Sequence, residues 1–213
     1  MKVGTDGVLL GAWCPVSGYR LRVTDYRILD VGTGSGLIAR MLMQRCPEAE
    51  VEGIDIDEAA VEQARENGVK AFCSSLQAWQ GTYDLIVSNP PYFQNSLKNP
   101  DKGRQTARHT DTLSYEELIE HSARLLKENG QLALILPADA ESEILQIAAQ
   151  RALTCTRITR VYSKETKPAR RVLLSFEMSS SRDIEMTTDS LVLEDEKGGR
   201  SAAYSNLCRD FYL

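Results

Sequence analysis

From Arg27 onward, short apolar runs alternate with amphipathic stretches, and this alternation limits the possible folds more than any other feature of the sequence. We predict strands over residues 27–31, 51–55, 69–72, 83–88 and 131–136, and helices over 37–46, 58–66, 114–127 and 141–151. Strands and helices at this spacing form a mostly parallel sheet that is covered on both faces. Two further strands, 154–162 and 172–178, are joined by a segment too short for a crossover helix, so we expect them to pair antiparallel.

The predicted fold is therefore α/β, with a seven-stranded, mostly parallel sheet whose last strands are antiparallel, in a single domain over residues 1–213. At the amino end, Thr5 or Asp6 is placed to cap a short apolar helix. From about residue 179 the chain is more polar, with a small strand predicted over 190–193 and a closing helix over 201–212. We expect this C-terminal segment to be an accessory edge of the same domain.

Composition indicates a soluble globular protein, because 42% of the residues are hydrophobic and 26% are charged. No apolar run approaches the roughly 18 residues that a membrane span needs, and no signal peptide opens the chain. The five cysteines are scattered and form no C-x-x-C pair, which argues against a disulfide framework or a zinc site and indicates a reducing cytoplasm. The net charge of −5 means that binding to nucleic acid would need a local basic patch.

The tetrapeptide Asn89-Pro90-Pro91-Tyr92 directly follows the predicted strand 83–88. Two consecutive prolines exclude both helix and sheet pairing, so an amide side chain and an aromatic ring are held stiffly above the carboxyl end of the strand, where ligands bind in such sheets. This pattern is typical of a site that grips a planar NH2 group. Taken alone, it also fits an ordinary strand exit with a turn-forming Asn-Pro.

A glycine-rich loop, with Asp30 followed by Gly32, Gly34 and Gly36, comes after the first strand. A strand that runs through such a loop into a helix is the frame of a nucleotide-type site, since glycine lets the backbone approach a ligand closely. Leu37 stands where a dinucleotide fingerprint needs its third glycine, and the G-K-[ST] of a P-loop is absent. An acid at Asp30 suits an ammonium group better than a phosphate. A glycine turn without a ligand is the alternative.

Asp55 ends the second strand, where an acid accepts hydrogen bonds from ribose hydroxyls. A solvated carboxylate at the end of a strand is the alternative for Asp55, and Asp57 is better placed as a helix cap. Past the third strand, Ser75 and Leu76 could contact an adenine ring through a hydroxyl and an apolar side chain. No group of residues has the spacing of metal ligands, so we expect no metal.

Asp30, the glycine loop, Asp55 and the stretch 89–92 follow the first, second and fourth strands in that order. Together they resemble the class I S-adenosylmethionine-dependent methyltransferases, over about residues 1–178. Asn-Pro-Pro-Tyr is similar to the motif of enzymes that methylate a nitrogen conjugated to a planar system, namely adenine N6, guanine N2 or glutamine N5. The opening 1–13 and the stretch from 89–93 to Arg108-His109 are most similar to the bacterial tRNA1(Val) adenine-N6 methyltransferase family.

That resemblance implies a Rossmann-like class I methyltransferase fold, S-adenosylmethionine as cofactor, and N6 methylation of the adenine immediately 3′ of the anticodon of valine tRNA. It also implies that the stretch 2–7 contributes to the cofactor pocket. The connection 67–69 is shorter than such folds usually have, and the chain begins inside this first motif, so we expect residues of the family pattern to be absent at both places. We expect no membrane association and no obligate protein partner.

Three groups of site residues follow from these observations and from the resemblance. We expect the cofactor to be bound by Lys2, Thr5, Asp6, Asp30, Gly32, Gly34, Gly36, Asp55, Ile56, Ser75, Leu76 and Asn89. We expect catalysis from Asn89, Pro90, Pro91 and Tyr92, and substrate contacts from Tyr92, Phe93, Arg108, His109, Arg170 and Arg171. The basic stretches 94–108 and 164–171 could instead be a solvated lid and a solvated turn.

The leading hypothesis is thus a tRNA adenine-N6 methyltransferase. A protein glutamine-N5 methyltransferase and an rRNA guanine-N2 methyltransferase are the alternatives among enzymes, because each holds a planar NH2 group. A catalytically silent binding module with the same fold is the alternative from a different class. Splayed bases of a single-stranded loop suit such a site better than a duplex does.

Overall fold

The computed structural model describes residues 4–16, 25–91, 113–178 and 185–211. The helices are α1 Thr5–Trp13, α2 Leu37–Arg45, α3 Glu58–Glu66, α4 Tyr115–Leu125, α5 Glu141–Ala149 and α6 Ala202–Cys208. The strands are β1 Arg27–Val31, β2 Glu50–Asp55, β3 Lys70–Cys73, β4 Tyr83–Ser88, β5 Leu126–Pro137, β6 Leu153–Tyr162, β7 Ala169–Met178 and β8 Thr187–Val192. Among these residues, no helix is long and apolar enough to cross a membrane.

All the described strands join one sheet in the order β3-β2-β1-β4-β5-β7-β6-β8. The predicted α/β fold with a mostly parallel sheet is confirmed, and β7 pairs antiparallel with both β5 and β6. The predicted number of seven strands is wrong, because β8 pairs parallel with β6 and makes eight. On β8 only Leu191 is buried, so its weak apolar pattern did not indicate that it extends the main sheet.

Helices cover both faces of the sheet, and the alternation of side chains along each strand divides the core into two layers. Ile28 and Leu85 face the layer that holds α1, α2, α3 and α6. Leu29 and Ile86 face the layer that holds α4 and α5. Both sides of the central strands are therefore buried, which leaves the ends of the strands as the place for a ligand.

Two of the predicted caps are confirmed. The Asp57 side chain accepts a hydrogen bond from the Ala59 amide at 3.0 Å and caps α3. Ser114 and Glu117 form the predicted capping box at the start of α4. The predicted cap of α1 is wrong, because its N-cap residue is Gly4 and no side chain caps it. Asp6 lies instead in the first turn, where its carboxylate interacts favourably with the positive end of the helix dipole.

Helix α1 packs closely on α2 and is fastened at its carboxyl end. A Cβ atom on Gly11 would lie 2.7 Å from the sulfur of Met41, so the two helices approach closely and any larger residue here would displace the Met41 side chain. Arg45 donates from α2 to the carbonyl of Gly11 at 2.8 Å. The Trp13 indole donates to the hydroxyl of Thr159 on β6 at 2.8 Å. The first helix is therefore an integral part of this layer.

Candidate functional site

A cavity of about 580 Å³ opens at the carboxyl ends of β1, β2, β3 and β4. The chain runs outward from β1 to β3 and then returns to β4 on the other side of β1, so the cavity lies at a topological switch point. Its wall is formed by Val31, Gly32, Ile54, Asp55, Ile56, Ser74, Ser75, Leu76, Gln77, Ser88, Asn89, Pro90, Pro91, Leu113 and Glu117. Most of the predicted cofactor and catalytic residues within the described ranges therefore meet in one space.

The glycine loop lies directly against β2. The amides of Gly32 and Thr33 donate to the carbonyl of Ile54 at 2.9 and 3.0 Å. A Cβ atom on Gly53 would lie 2.7 Å from the hydroxyl of Thr33, so only glycine permits this approach. Sequence reasoning missed Gly53 because a single glycine inside a strand is a weak signal.

Asp30 lies beneath the glycine loop and is not part of the cavity wall. Its side chain is 0% exposed. One carboxylate oxygen accepts from the Thr33 hydroxyl at 2.8 Å and from the Ala39 amide at 3.2 Å. Burial raises the pKa of Asp30 to about 7. The structure thus places Asp30 where it ties the loop to the first turn of α2, and direct contact with the cofactor stays a prediction.

Asp55 and Ile56 form the middle of the cavity. One oxygen of Asp55 accepts from the Gly34 amide at 2.9 Å and the other accepts from the Asp57 amide at 3.0 Å. Each carboxylate oxygen keeps a second lone pair, so the group can still accept from a hydroxyl. Ile56 is 59% exposed and lies on the cavity wall, so its apolar side chain is available for contact with a flat ligand.

The far wall joins the loop after β3 to the start of α4. Ser75 and Leu76 lie there, beside Gln77 and Glu117, and their contact with an adenine ring stays a prediction. Glu117 accepts from the Ser114 amide at 2.8 Å and from the Gln77 side chain at 3.4 Å. Sequence reasoning had assigned Glu117 only to the capping box, since nothing in the sequence shows that α4 reaches the cavity.

The end of β4 forms the opposite wall. The Ser88 hydroxyl donates to the carbonyl of Val31 at 2.8 Å and ties β4 to β1 at the level of the cavity. Asn89 is half-buried, Pro90 is buried and Pro91 is exposed. Five of the predicted site residues lie outside the described residues, namely Lys2, Tyr92, Phe93, Arg108 and His109.

Six further predicted residues are not part of the cavity wall within the described residues, namely Thr5, Asp6, Gly34, Gly36, Arg170 and Arg171. Thr5 and Arg170 are exposed, whereas Asp6 and Arg171 form an ion pair at 2.9 Å. Arg171 pairs across the sheet with Pro137 at the carboxyl end of β5, which places the β6–β7 hairpin at the same edge as the cavity. The described part of the chain contains no cluster of three or more potential metal ligands.

Comparisons with known proteins agree with this geometry. The family model of the methyltransferase small domain matches residues 19–159. A protein of Bacteroides fragilis named tRNA1(Val) (adenine(37)-N6)-methyltransferase is 42% identical, with 100% of this chain and 91% of that protein covered. A protein of Erwinia tasmaniensis with the same name is 40% identical, with 100% and 89% covered.

Two solved structures share the fold at low sequence identity. A predicted O-methyltransferase from Agrobacterium tumefaciens superposes with a TM-score of 0.74 at 18% identity and covers 96% of both chains. A putative class I S-adenosylmethionine-dependent methyltransferase from Listeria monocytogenes gives 0.63 at 15% identity, with 92% of this chain and 70% of that chain covered.

Proposed function

This chain belongs to the methyltransferase small domain family, among the bacterial tRNA1(Val) adenine-N6 methyltransferases, and we propose that it methylates the exocyclic N6 of adenine in tRNA with S-adenosylmethionine. The adenine immediately 3′ of the anticodon of valine tRNA is the proposed target. The observation that carries this proposal is a single cavity that joins Asp55 and Ile56 to Asn89-Pro90-Pro91. A nucleoside cofactor and a planar amine can therefore meet in one open cavity.

The residues of the cavity fit S-adenosylmethionine. Asp55 retains lone pairs for the two ribose hydroxyls. Ile56, which is exposed, and Leu76, which is buried in the cavity wall, offer apolar contact to an adenine ring. A Cβ atom on Gly32 would project into open space, so the backbone there leaves room for the ligand. With the nucleoside held at β2, the other end of the cofactor extends past the glycine loop toward β4.

The Asn-Pro-Pro segment suits the chemistry of an aryl amine, which is a poor nucleophile because its lone pair is delocalised into the ring. We infer that the Asn89 side-chain oxygen and the Pro90 carbonyl each accept one N–H of the target amine. Pro90 is buried within a stiff segment, so its carbonyl needs little reorganisation. S-adenosylmethionine supplies a methyl group already activated by its sulfonium, so the positioning of the amine against that methyl group accounts for most of the rate enhancement. We also propose that Tyr92, which lies outside the described residues, stacks on the extruded base, because such a contact is worth about 1–3 kcal/mol.

The basic β6–β7 hairpin favours an RNA substrate over the protein substrate of the alternative glutamine-N5 hypothesis. Arg170 is exposed at the edge that carries the cavity, and Lys164 and Lys167 lie in the same hairpin. Lys164 is 3.4 Å from Glu194, and because a surface ion pair of this kind is weak, a phosphate could replace Glu194 as the partner of Lys164. A tRNA-modifying enzyme works in the cytoplasm, and the five free cysteines fit a reducing compartment.

The deciding experiment is incubation with labelled S-adenosylmethionine and, separately, with bulk tRNA, ribosomal RNA and release factor. Nucleoside analysis should find N6-methyladenosine in the tRNA. Methylglutamine in the release factor, or N2-methylguanosine in the ribosomal RNA, would overturn the proposal in favour of one of the two alternatives. The Asn89→Ala protein serves as the control for methylation by a contaminant.

A further inference from the structure

Helix α4 holds the loop 74–80, which connects β3 to β4, through an arginine that the mechanism does not use. Arg124 Nη2 donates to the carbonyl of Trp79 at 2.9 Å and to the carbonyl of Leu76 at 3.3 Å. A third, longer contact reaches the carbonyl of Gln77 at 3.5 Å. One guanidinium nitrogen with two N–H groups therefore lies within hydrogen-bond distance of three main-chain carbonyls of one loop, and Nη1 lies 3.5 Å from the side-chain oxygen of Gln80 in the same loop.

A second contact runs from the same face of the helix. Glu117 lies two turns before Arg124, so both side chains project toward the loop. Glu117 accepts from the Gln77 side chain at 3.4 Å and is itself held by the capping box with Ser114. Helix α4 is anchored beneath by the buried Leu118, Ile119 and Leu125, so it presents a rigid surface to the loop.

Within the loop itself the hydrogen bonds are short-range: the Ser74 hydroxyl donates to the carbonyl of Ser75 at 3.2 Å and the Ala78 amide donates to the Ser75 hydroxyl at 3.4 Å. The Trp79 amide donates to the carbonyl of Ser75 at 3.1 Å, with a longer contact to the carbonyl of Leu76 at 3.3 Å. No regular helix or strand is present between Cys73 and Tyr83. The conformation that places Ser75 and Leu76 on the cavity wall is therefore held partly from outside the loop, by Arg124 and by Tyr83, whose hydroxyl accepts from the Trp79 indole at 2.8 Å.

The position of the loop indicates which part of the ligand it meets. In the sheet order β3-β2-β1-β4, the amine grip follows β4 and the ribose acceptor Asp55 ends β2. The methyl group must lie near Asn89, so a cofactor whose ribose is at Asp55 has its base farther out, at the end of β3. The loop 74–80 begins there. This step rests on the proposed function.

We propose that Arg124 is a positioning residue that sets the affinity for the nucleoside half of S-adenosylmethionine by holding the main chain of the loop 74–80. It touches neither the cofactor nor the target base. When its donors are removed, a smaller fraction of the protein has the loop in the binding conformation, and the apparent dissociation constant rises by the same factor. Because Arg124 is exposed, water partly replaces the lost bonds and the effect is moderate.

The test is calorimetric titration of Arg124→Ala with two probes, S-adenosylhomocysteine and 5′-methylthioadenosine, which lacks the amino-acid part. Both probes should bind about three- to tenfold more weakly than to the wild type, and by the same factor, because the loop meets only the nucleoside. Turnover at saturating S-adenosylmethionine should be unchanged, so that KM for the cofactor rises while kcat does not.

Arg151→Ala is the matched control. Arg151 forms an ion pair at 2.9 Å with Glu120, which lies on α4 like Arg124, but Arg151 does not touch the loop 74–80. Its removal should therefore leave the affinities for both probes at the wild-type value. Arg124→Lys, which keeps the charge but not the planar fork, should lose affinity by a smaller factor than Arg124→Ala. It replaces Arg124→Ala in the comparison should the alanine protein fail to fold.

The proposal is overturned by unchanged affinity for both probes, by a loss confined to S-adenosylhomocysteine, or by a fall in kcat without a rise in KM. Failure of the wild type to bind either probe would instead overturn the proposed function. The titrations contain no RNA, so an error in the identity of the methyl acceptor leaves this test intact.

Discussion

Arg171 Nε lies 2.9 Å from a carboxylate oxygen of Asp6, and this ion pair ties the base of the β6–β7 hairpin to the first turn of α1. That turn also lies against the start of α2, since a Cβ atom on Gly7 would be 3.1 Å from a methyl group of Leu37. The neighbouring Arg170 is exposed, because successive side chains of a strand point to opposite faces. The two adjacent arginines therefore stand in different environments, although both were predicted to contact RNA.

The two arginines should give different phenotypes. Arg170→Ala removes a cation that is available for phosphate, so it should weaken tRNA binding and lower the slope of log affinity against log salt by about 0.7–0.9. Arg171→Ala should mainly lower the melting temperature, by roughly 2–4 °C for the loss of about 1 kcal/mol from a half-exposed pair. Filter binding between about 50 and 200 mM salt and thermal denaturation measure the two effects. An unchanged salt slope in Arg170→Ala would show that this part of the hairpin is a solvated turn.

Asn89→Ala should separate binding from catalysis. Loss of the side-chain oxygen removes an acceptor for the target amine, so methyl transfer should fall by about 10²–10³-fold. The affinity for S-adenosylhomocysteine should change by less than about threefold, because Asp55, the glycine loop and the loop 74–80 are untouched. Single-turnover kinetics and calorimetry give the two values. Equal losses of cofactor affinity and of rate would contradict the assignment of Asn89 to the target.

Most of the fold was predictable because its signals are local. Short apolar runs indicate the strands of the parallel core. Asp57 and Ser114 indicate where α3 and α4 begin, because both residue types cap helices. The edge strand β8 was assigned too small a role, because its stability comes from pairing with β6 and not from an apolar pattern. Pairing between segments distant in sequence leaves little trace in either segment alone.

The site divides in the same way. Asp55 ends β2 and Asn89 directly follows β4, so the strands themselves place these residues at the cavity and their position can be read from the sequence. Glu117 reaches the cavity only because α4 packs across the loop 74–80, and the ion pair of Asp6 with Arg171 joins opposite ends of the chain. Such tertiary relationships have no local signature.

Asp30 should make stability depend on pH in a recognisable way. Burial raises the pKa of its carboxyl to about 7, above the unfolded value, and the nearby Asp55 charge acts in the same direction. Between about pH 4 and 7 the native state thus holds a proton that the unfolded state has lost, so this group's contribution to stability decreases as pH rises, by at most about 1.4 kcal/mol per pH unit. Asp30→Asn, which cannot ionise, should flatten the profile of urea midpoints from pH 5 to 8. An identical profile in the variant would show that Asp30 stays charged throughout.

Gly53→Ala should impair cofactor binding from a position outside the cavity wall. The added methyl group would lie 2.7 Å from the hydroxyl of Thr33 and 2.9 Å from its Cβ, so the glycine loop must move away from β2. That movement breaks the hydrogen bonds from the amides of Gly32 and Thr33 to the carbonyl of Ile54. We therefore expect a loss of about 1–3 kcal/mol in the free energy of unfolding and about a tenfold rise in KM for S-adenosylmethionine.

The control for Gly53→Ala is Gly130→Ala, whose methyl group would lie 2.8 Å from the carbonyl oxygen of Lys127. Gly130 opposes the start of β4, at the end of the sheet away from the cavity. This variant should lose stability to a similar extent with an unchanged KM, because the strain does not reach the glycine loop. A rise in KM in both variants would mean that cofactor binding reports general destabilisation. A rise confined to Gly53→Ala would show that the contact between Gly53 and Thr33 sets the position of the loop.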